Sequence, residues 1–259
     1  MTISHYIQRL IFIRNKDGLI STLNHILPKF IKVSRYKKTC SAVDIRNSHI
    51  KLVHDVVEFI AELDLGVKLE IIERYVKESK NELHNTTMIT SSSFPSKWNS
   101  GRNLQIISYV LSRILKPSLI IETGTANGTS ANSFAAAVRR NNFGKFITVD
   151  LRESELAAVQ SLNRPFVNAI NSSGTSKDLI QIISDQIEHE DAGNIFLHDS
   201  DHSYFGQFSD YKVANELNFS VLLSDDIDSS MAFIDFTKNF KSVTMFDEKK
   251  FIGAAVLKK

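Results

Sequence analysis

The sequence has one cysteine, Cys40, so no intrachain disulfide can form and a cysteine-based zinc site is disfavoured. It also lacks an excess of either charge: 31 basic residues against 29 acidic ones leave a net charge of +2. That balance supplies neither the basic face of a nucleic-acid binder nor a polybasic patch for a membrane surface. Long apolar runs are missing as well. The longest, such as Leu10–Ile13 and Phe134–Val138, fall well short of the ~18–20 residues that a membrane span needs. Nor does the N-terminal stretch pair an apolar segment with a small-residue cleavage site, which argues against a secretory signal. These absences predict a protein of the reducing cytoplasm, with small-molecule partners, no nucleic acid and no membrane.

What is present is a composition of 42% hydrophobic and 23% charged residues, enough for one sizeable core and an accessory segment. Between Leu52 and Lys80 apolar residues recur at helical spacing (Val53, Val56, Phe59, Ile60, Leu63, then Leu69, Ile72, Tyr75, Val76), with a break near Leu65–Gly66. The Ser- and Thr-rich stretch His84–Gly101 reads as a connecting loop. Residues 1–95 are therefore expected to form a mainly helical accessory segment, a lid or a homo-oligomer contact, ahead of a domain spanning 96–259.

From Asn103 onward helices and strands alternate. Helices are expected at Asn103–Leu115, Thr129–Arg140, Ser154–Asn163, Ser176–His189, Gly206–Leu217 and Ser229–Phe240. The strands between them fall at Ser118–Thr123, Lys145–Asp150, Phe166–Ile170, Asn194–His198 and Ser220–Ser224, with Ser242–Phe246 and Phe251–Leu257 closing the chain. Such alternation means βαβ units and an α/β fold, a doubly wound, mostly parallel sheet covered on both faces. The last two strands are joined only by Asp247–Lys250, too short for a crossover helix, and must pair antiparallel.

In that scheme "LIIETGTANGTS", Leu119–Ser130, is the first strand-to-helix turn, the place where such sheets bind ligands. Gly124 and Gly128 lack the G-x-G-x-x-G spacing of a dinucleotide fingerprint, and no Gly-Lys-Ser/Thr follows to make a P-loop. Glu122 would repel a pyrophosphate but attract an ammonium group, while the helix starting at Thr129 offers N–H groups to a carboxylate. Asp150 ends the next strand, where an acid can accept hydrogen bonds from both ribose hydroxyls. An amino acid joined to a nucleoside is S-adenosylmethionine. Two plainer readings stand beside this one: turn chemistry for the glycines, and a helix N-cap for Asp150.

"IIETGTANGTS", "FITVD", "IFLHDSDHSY" and "LLSDDI", in this order, resemble the motifs of class I S-adenosylmethionine-dependent methyltransferases. "DSDHSY" in particular is similar to the D-G-D-H-S-Y-E of a bacterial small-molecule O-methyltransferase subgroup, with Ser200 in place of the glycine. The resemblance covers about Asn103–Lys259 and implies a Rossmann-like sheet of strand order 3-2-1-4-5-7-6, counted from Ser118–Thr123. It further implies that Glu122, Gly124, Thr125 and Gly128 hold the methionine end, Asp150 the ribose, and Asn171 or Ser172 the adenine edge, with Thr129 and Asp199 also cofactor-binding and Asp199 catalytic beside His202.

Asp199 and Asp201 follow one strand, Asp225 and Asp226 another. If those strands are neighbours the carboxylates converge, and close carboxylates ionise together only beside a cation. Oxygen ligands would favour Mg²⁺, Ca²⁺ or Mn²⁺. Metal-dependent catechol-type O-methyltransferases are similar here, and the resemblance implies Asp199, Asp225 and Asp226 as metal ligands, with His202 standing where that group has a lysine base. An imidazole is a serviceable base at neutral pH. The competing reading makes Asp225, Asp226 and Asp228 caps of the helix near Ser229, Asp201 the cap of the turn before Gly206, and His202 a hydrogen-bonded structural residue. His198 reads as core; Phe94, Trp98 and Tyr204 are candidate walls of the acceptor pocket. The function expected is O-methylation of a small polar acceptor, a sugar or natural-product hydroxyl. Its rivals are a non-catalytic module of the same fold and a nicotinamide-dependent enzyme; against the latter stand the G-x-x-x-G spacing and the lack of a Tyr-x-x-x-Lys pair.

Overall fold

The computed structural model describes residues 36, 38–84, 99–151, 167–187 and 193–258. Residues 40–259 form one compact unit and 1–39 another. The expected helix Ser154–Asn163, residues 1–35, 37 and 85–95 of the accessory segment, and the candidate pocket walls Phe94 and Trp98 lie outside the described residues.

Leu119–Thr123 (β2) is buried at every position because parallel neighbours flank it on both sides and helices cover both faces, which explains its unbroken apolar run. Lys145–Asp150 (β3) and Val167–Asn171 (β4) extend the sheet on one side. On the other lie Ile195–His198 (β5) and Val221–Ser224 (β6), both parallel to β2. The closing hairpin, Lys241–Asp247 (β7) and Lys250–Val256 (β8), pairs antiparallel, and β8 also pairs antiparallel with β6. The order β4-β3-β2-β5-β6-β8-β7 is the 3-2-1-4-5-7-6 pattern expected from the sequence.

One strand was not foreseen. Lys51–Val53 (β1) adds to the sheet edge parallel to β7, so among the described residues the sheet has eight strands. Its three residues are too few for alternation to show, and its Leu-Val pair merges with the helical pattern that follows. That pattern resolves into helices Val56–Glu62 and Leu69–His84, separated by Asp64 and Gly66, both with positive φ. Asp55 caps the first, its Oδ1 accepting from the N–H groups of Val57 at 2.8 Å and Glu58 at 3.0 Å. In chain order with Ala42–Arg46 as α1, these two helices are α2 and α3.

Arg102–Leu115 (α4) packs between α3 and Thr129–Asn141 (α5). Its N-cap, Gly101, has no side chain to offer; instead Asp247 accepts from Asn103 N at 3.2 Å and Leu104 N at 3.0 Å. Ser176–Ser184 (α6) follows β4, and Tyr204–Glu216 (α7) follows β5. The helix expected at Ser229–Phe240 is instead broken into a 3₁₀ turn at Ile227–Ser229, Ala232–Phe236 (α8) and a second 3₁₀ turn at Thr237–Asn239. Ser230 causes the break: its backbone is extended, while its hydroxyl accepts from Ala232 N at 3.1 Å and donates to Gln207 Oε1 at 2.6 Å.

Candidate active site

The C-terminal ends of β2, β3, β4, β5 and β6 surround a cavity of about 870 Å³. One end is formed by Val149, Asp150, Leu151 and the 172–175 turn after β4; the other by Asp199, His202, Asp226 and Lys250. The loop after β2 forms the floor between them.

Backbone conformation shapes that loop. Gly124 has φ +89°, and a Cβ there would stand 2.0 Å from the carbonyl oxygen of Asp199. Gly128, at φ +69°, is the N-cap of α5. Between them Ala126 holds φ +41°, a left-handed position occupied by a residue with a side chain. Asp150 secures the loop, its Oδ2 accepting from Thr125 N at 2.8 Å and Ala126 N at 3.2 Å. It therefore faces the cavity while fastening the glycine loop to β3.

Among the residues expected to hold the cofactor, Gly124, Asp150, Ser172 and Asp199 line the cavity, whereas Glu122, Thr125, Gly128, Thr129 and Asn171 do not. Thr129 is turned away, its Oγ1 bonded to Ser100 N at 3.0 Å and Ser100 Oγ at 2.7 Å. Asn171 Nδ2 donates to Leu151 O at 3.1 Å. The 172–175 turn is stiffened by Asp178 of α6, which accepts from Ser172 Oγ at 2.8 Å and Ser173 N at 2.6 Å. Those bonds hold the Asp178 carboxyl below its ordinary range.

Glu122 is fully buried beneath the loop. Ser130 donates to its Oε1, and Thr148 donates to Oε2 at 2.6 Å, so it ties β2 to β3 and to α5 rather than facing a ligand. Burial pushes its carboxyl up to about 8 against the two hydroxyl donors, with Asp199 and Asp150 adding to the rise. A folded-state pKa above the unfolded one means that the folded state binds the proton more tightly. Stability should therefore fall as pH rises from the ordinary glutamate range towards 8, by about 1.4 kcal/mol per pH unit for one proton. Thermal unfolding of Glu122→Gln, which cannot titrate, is expected to lack this slope; an equal slope in variant and wild type would assign it to other groups.

The acidic residues at the other end converge as their strand positions require, since β5 and β6 are neighbours. The arrangement differs from the expected one. Asp225 is wholly buried and forms an ion pair with Lys250, whose Nζ also lies 3.1 Å from Asp226 Oδ2. The other oxygen of Asp225, Oδ1, accepts from Asp226 N at 3.0 Å. Both Asp225 oxygens are thus already engaged, one of them by Lys250, Asp225 itself does not line the cavity, and the residue does not fit the metal-ligand role that the resemblance implied. The capping reading fails too: Asp226 makes no side-chain cap bond, and Asp228 Oδ1 accepts from Phe251 N at 3.0 Å. Asp201 buttresses the true cap of α7, Ser203, by accepting from its N–H at 3.0 Å and its hydroxyl at 2.9 Å.

His202 stands between two carboxylates, Nε2 at 3.6 Å from Asp199 Oδ1 and Nδ1 at 3.4 Å from Asp226 Oδ2. Burial alone would lower its pKa, but the surrounding Asp199, Asp226 and Asp225 carboxylates outweigh it and hold the imidazole above 6.5. Ligand atoms of Asp199, His202 and Asp226 lie within 4.8 Å of one another. His198 is core, as expected, with Nδ1 bonded to Asp210 Oδ2 at 2.8 Å. That same oxygen accepts from Thr123 Oγ1 at 2.8 Å and Ser200 Oγ at 3.1 Å, so Asp210 knits β2, β5 and α7 together beneath the cavity.

Lys250 and Asp210 both line the cavity and were missed in the sequence. Lys250 lies in what reads as a plain hairpin turn, and only the β6–β8 register, with Ser224 opposite Gly253, brings it to Asp225. Asp210 sits on a helix with no clear apolar face to mark its inward side.

Residues 101–224 match the family model described as Rhamnosyl O-methyltransferase/CmcI. No curated protein matches the sequence. The fold is similar to that of an O-methyltransferase from Bacillus cereus in complex with S-adenosylhomocysteine, at 16% identity and a TM-score of 0.50, covering 78% of this chain and 96% of that one. It is likewise similar to the S-adenosylhomocysteine-bound Podospora anserina methyltransferase PaMTH1, at 13% identity and a TM-score of 0.50, covering 73% and 88%. Among the described residues no helix is long and apolar enough to cross a membrane. Sheet order, a cavity at the switch point floored by the Gly124 turn, and the match over residues 101–224 agree: the chain has the fold of class I S-adenosylmethionine-dependent methyltransferases and, over those residues, is similar to the Rhamnosyl O-methyltransferase/CmcI family.

Proposed function

We propose that the chain methylates a hydroxyl of a small polar acceptor, a sugar or a natural-product alcohol or phenol, with His202 as the base. The observation that carries this reading is the imidazole at the cavity wall, held between Asp199 and Asp226 beside the end of β5. S-adenosylmethionine, when bound, supplies an electrophilic methyl and its own leaving group, so the protein has to align two centres and remove one proton.

Each residue then has a limited task. Asp150 and the 172–175 turn offer acceptors and donors to the nucleoside end, while the loop at Gly124 lets the backbone approach the amino-acid end closely. Asp199 and Asp226 fix the ring plane of His202 and stabilise the imidazolium that forms when it takes the acceptor's proton. The carboxylates at this end of the cavity also favour a cationic cofactor over a neutral one. The match to a family named for a rhamnosyl O-methyltransferase supports a sugar hydroxyl as the first acceptor class to test.

The test is calorimetric titration with S-adenosylmethionine, followed by assays with rhamnosides, other glycosides and simple phenols, reading methylated product by mass. Absence of cofactor binding would remove the reading. The pH profile adds a sign: His202 must be neutral to act, so kcat/KM should rise with pH through a limb above 6.5. A profile flat across that range would remove His202 as the base.

A further inference from the structure

Catechol-type resemblance implies a divalent ion on Asp199, Asp225 and Asp226. In this chain an ammonium already stands against two of them. Lys250 Nζ pairs with Asp225 Oδ2 and lies 3.1 Å from Asp226 Oδ2, and the lysine side chain is only 16% exposed. The strand that carries it has little freedom to withdraw it. β8 is paired with β6 on one side and β7 on the other, and the N–H of Phe251 is held by Asp228 at 3.0 Å.

We propose that Lys250 takes the place of the divalent ion: a tethered ammonium, set by the β7–β8 hairpin between Asp225 and Asp226, that neutralises the pair and positions Asp226 beside His202. Mg²⁺ or Mn²⁺ needs several oxygen lone pairs directed at one point. Here Asp225 gives Oδ2 to the Lys250 ammonium and Oδ1 to Asp226 N, and Asp226 shares Oδ2 between Lys250 and His202. A divalent ion entering would meet a fixed positive charge within the same few ångströms. Lysine gives one charge and three donors with no coordination geometry to satisfy, which suffices to hold two adjacent carboxylates in place. Lys250 is thus a positioning residue, acting through Asp226 on the imidazole. The inference rests on the methyl-transfer reading for its functional meaning, but its cation-binding content does not depend on that reading.

The experiment uses the wild-type protein saturated with S-adenosylmethionine and titrated with Mn²⁺, following free Mn²⁺ by electron paramagnetic resonance and the thermal midpoint in parallel. No binding is expected up to about 1 mM, with cofactor affinity and turnover unchanged by EDTA. Lys250→Met empties the position and is expected to create a Mn²⁺ site, at least about tenfold tighter than any wild-type binding and visible as a rise in the midpoint. Micromolar Mn²⁺ binding by the wild type, on Asp199, His202 and Asp226, overturns the proposal. So does turnover that EDTA abolishes and Mg²⁺ restores, or a folded Lys250→Met that binds Mn²⁺ no better than the wild type. Should Lys250→Met not fold, the wild-type measurements decide alone. If no acceptor is turned over, the Mn²⁺ measurements still decide, whereas failure of the methyl-transfer reading shows as failure to bind S-adenosylmethionine.

Discussion

Replacing His202 by glutamine is expected to lower kcat by about 10²–10⁴-fold, the range a positioned general base contributes, while S-adenosylmethionine affinity stays within about threefold of wild type. The separation follows from geometry. His202 meets the cavity at the Asp199–Asp226 end, away from the Asp150 and 172–175 surfaces proposed to hold the nucleoside. Glutamine keeps volume and hydrogen bonding but cannot take the proton at neutral pH. Single-turnover rates with saturating cofactor, measured beside calorimetric affinity, check this. A variant with kcat within about fivefold of wild type would show that proton removal is carried elsewhere or is not limiting.

The second large effect is expected from one methyl group. Gly124→Ala places a Cβ at 2.0 Å from the backbone carbonyl of Asp199, where no rotamer change can relieve it, and forces alanine into φ +89°. The loop cannot retreat easily: Gly124 N is bonded to Val149 O at 2.8 Å, and Asp199 N to Thr123 O at 2.9 Å, so three strand ends are joined at this point. The left-handed backbone and the overlap together cost about 2–5 kcal/mol. That cost should appear as a lower thermal midpoint together with loss of cofactor affinity of at least about 100-fold, since the displaced groups floor the cavity. Affinity within a few-fold of wild type would mean that the loop adapts and is not a rigid cradle.

Much of the architecture could be read from the chain alone because its signals are local. β2, β3, β5 and β6 are short apolar runs ended by polar residues, and the connection Glu248–Lys249 between β7 and β8 permits only a hairpin. The carboxylates at strand ends were legible for the same reason: a residue's place at the end of a strand follows from that strand alone. Illegible were the relations that depend on register and depth. Glu122 reads as the mouth of a loop, yet as the penultimate residue of β2 it points inward onto Thr148 and Ser130. Asp225 and Asp226 look equivalent in sequence, but one side chain is buried and the other reaches the cavity. Lys250 is one of two adjacent lysines in a turn, and nothing within the turn tells which of them faces Asp225. The missed strand β1 belongs to the same class, since its partner is in β7.

That last pairing bears on the order in which the molecule assembles. β1 ends at Val53 and β7 begins at Lys241, so the edge of the sheet closes by joining segments far apart in sequence, at a loop-closure cost in entropy. The same late hairpin delivers Lys250 to Asp225 and Asp247 to the start of α4. Until it docks, a nascent or truncated chain ending before β7 would carry β6 as an open edge, with Asp225 lacking its counter-charge and α4 its N-terminal acceptor. The core strands can be in place before then, but the Asp225–Asp226 end of the cavity is completed only when this hairpin docks.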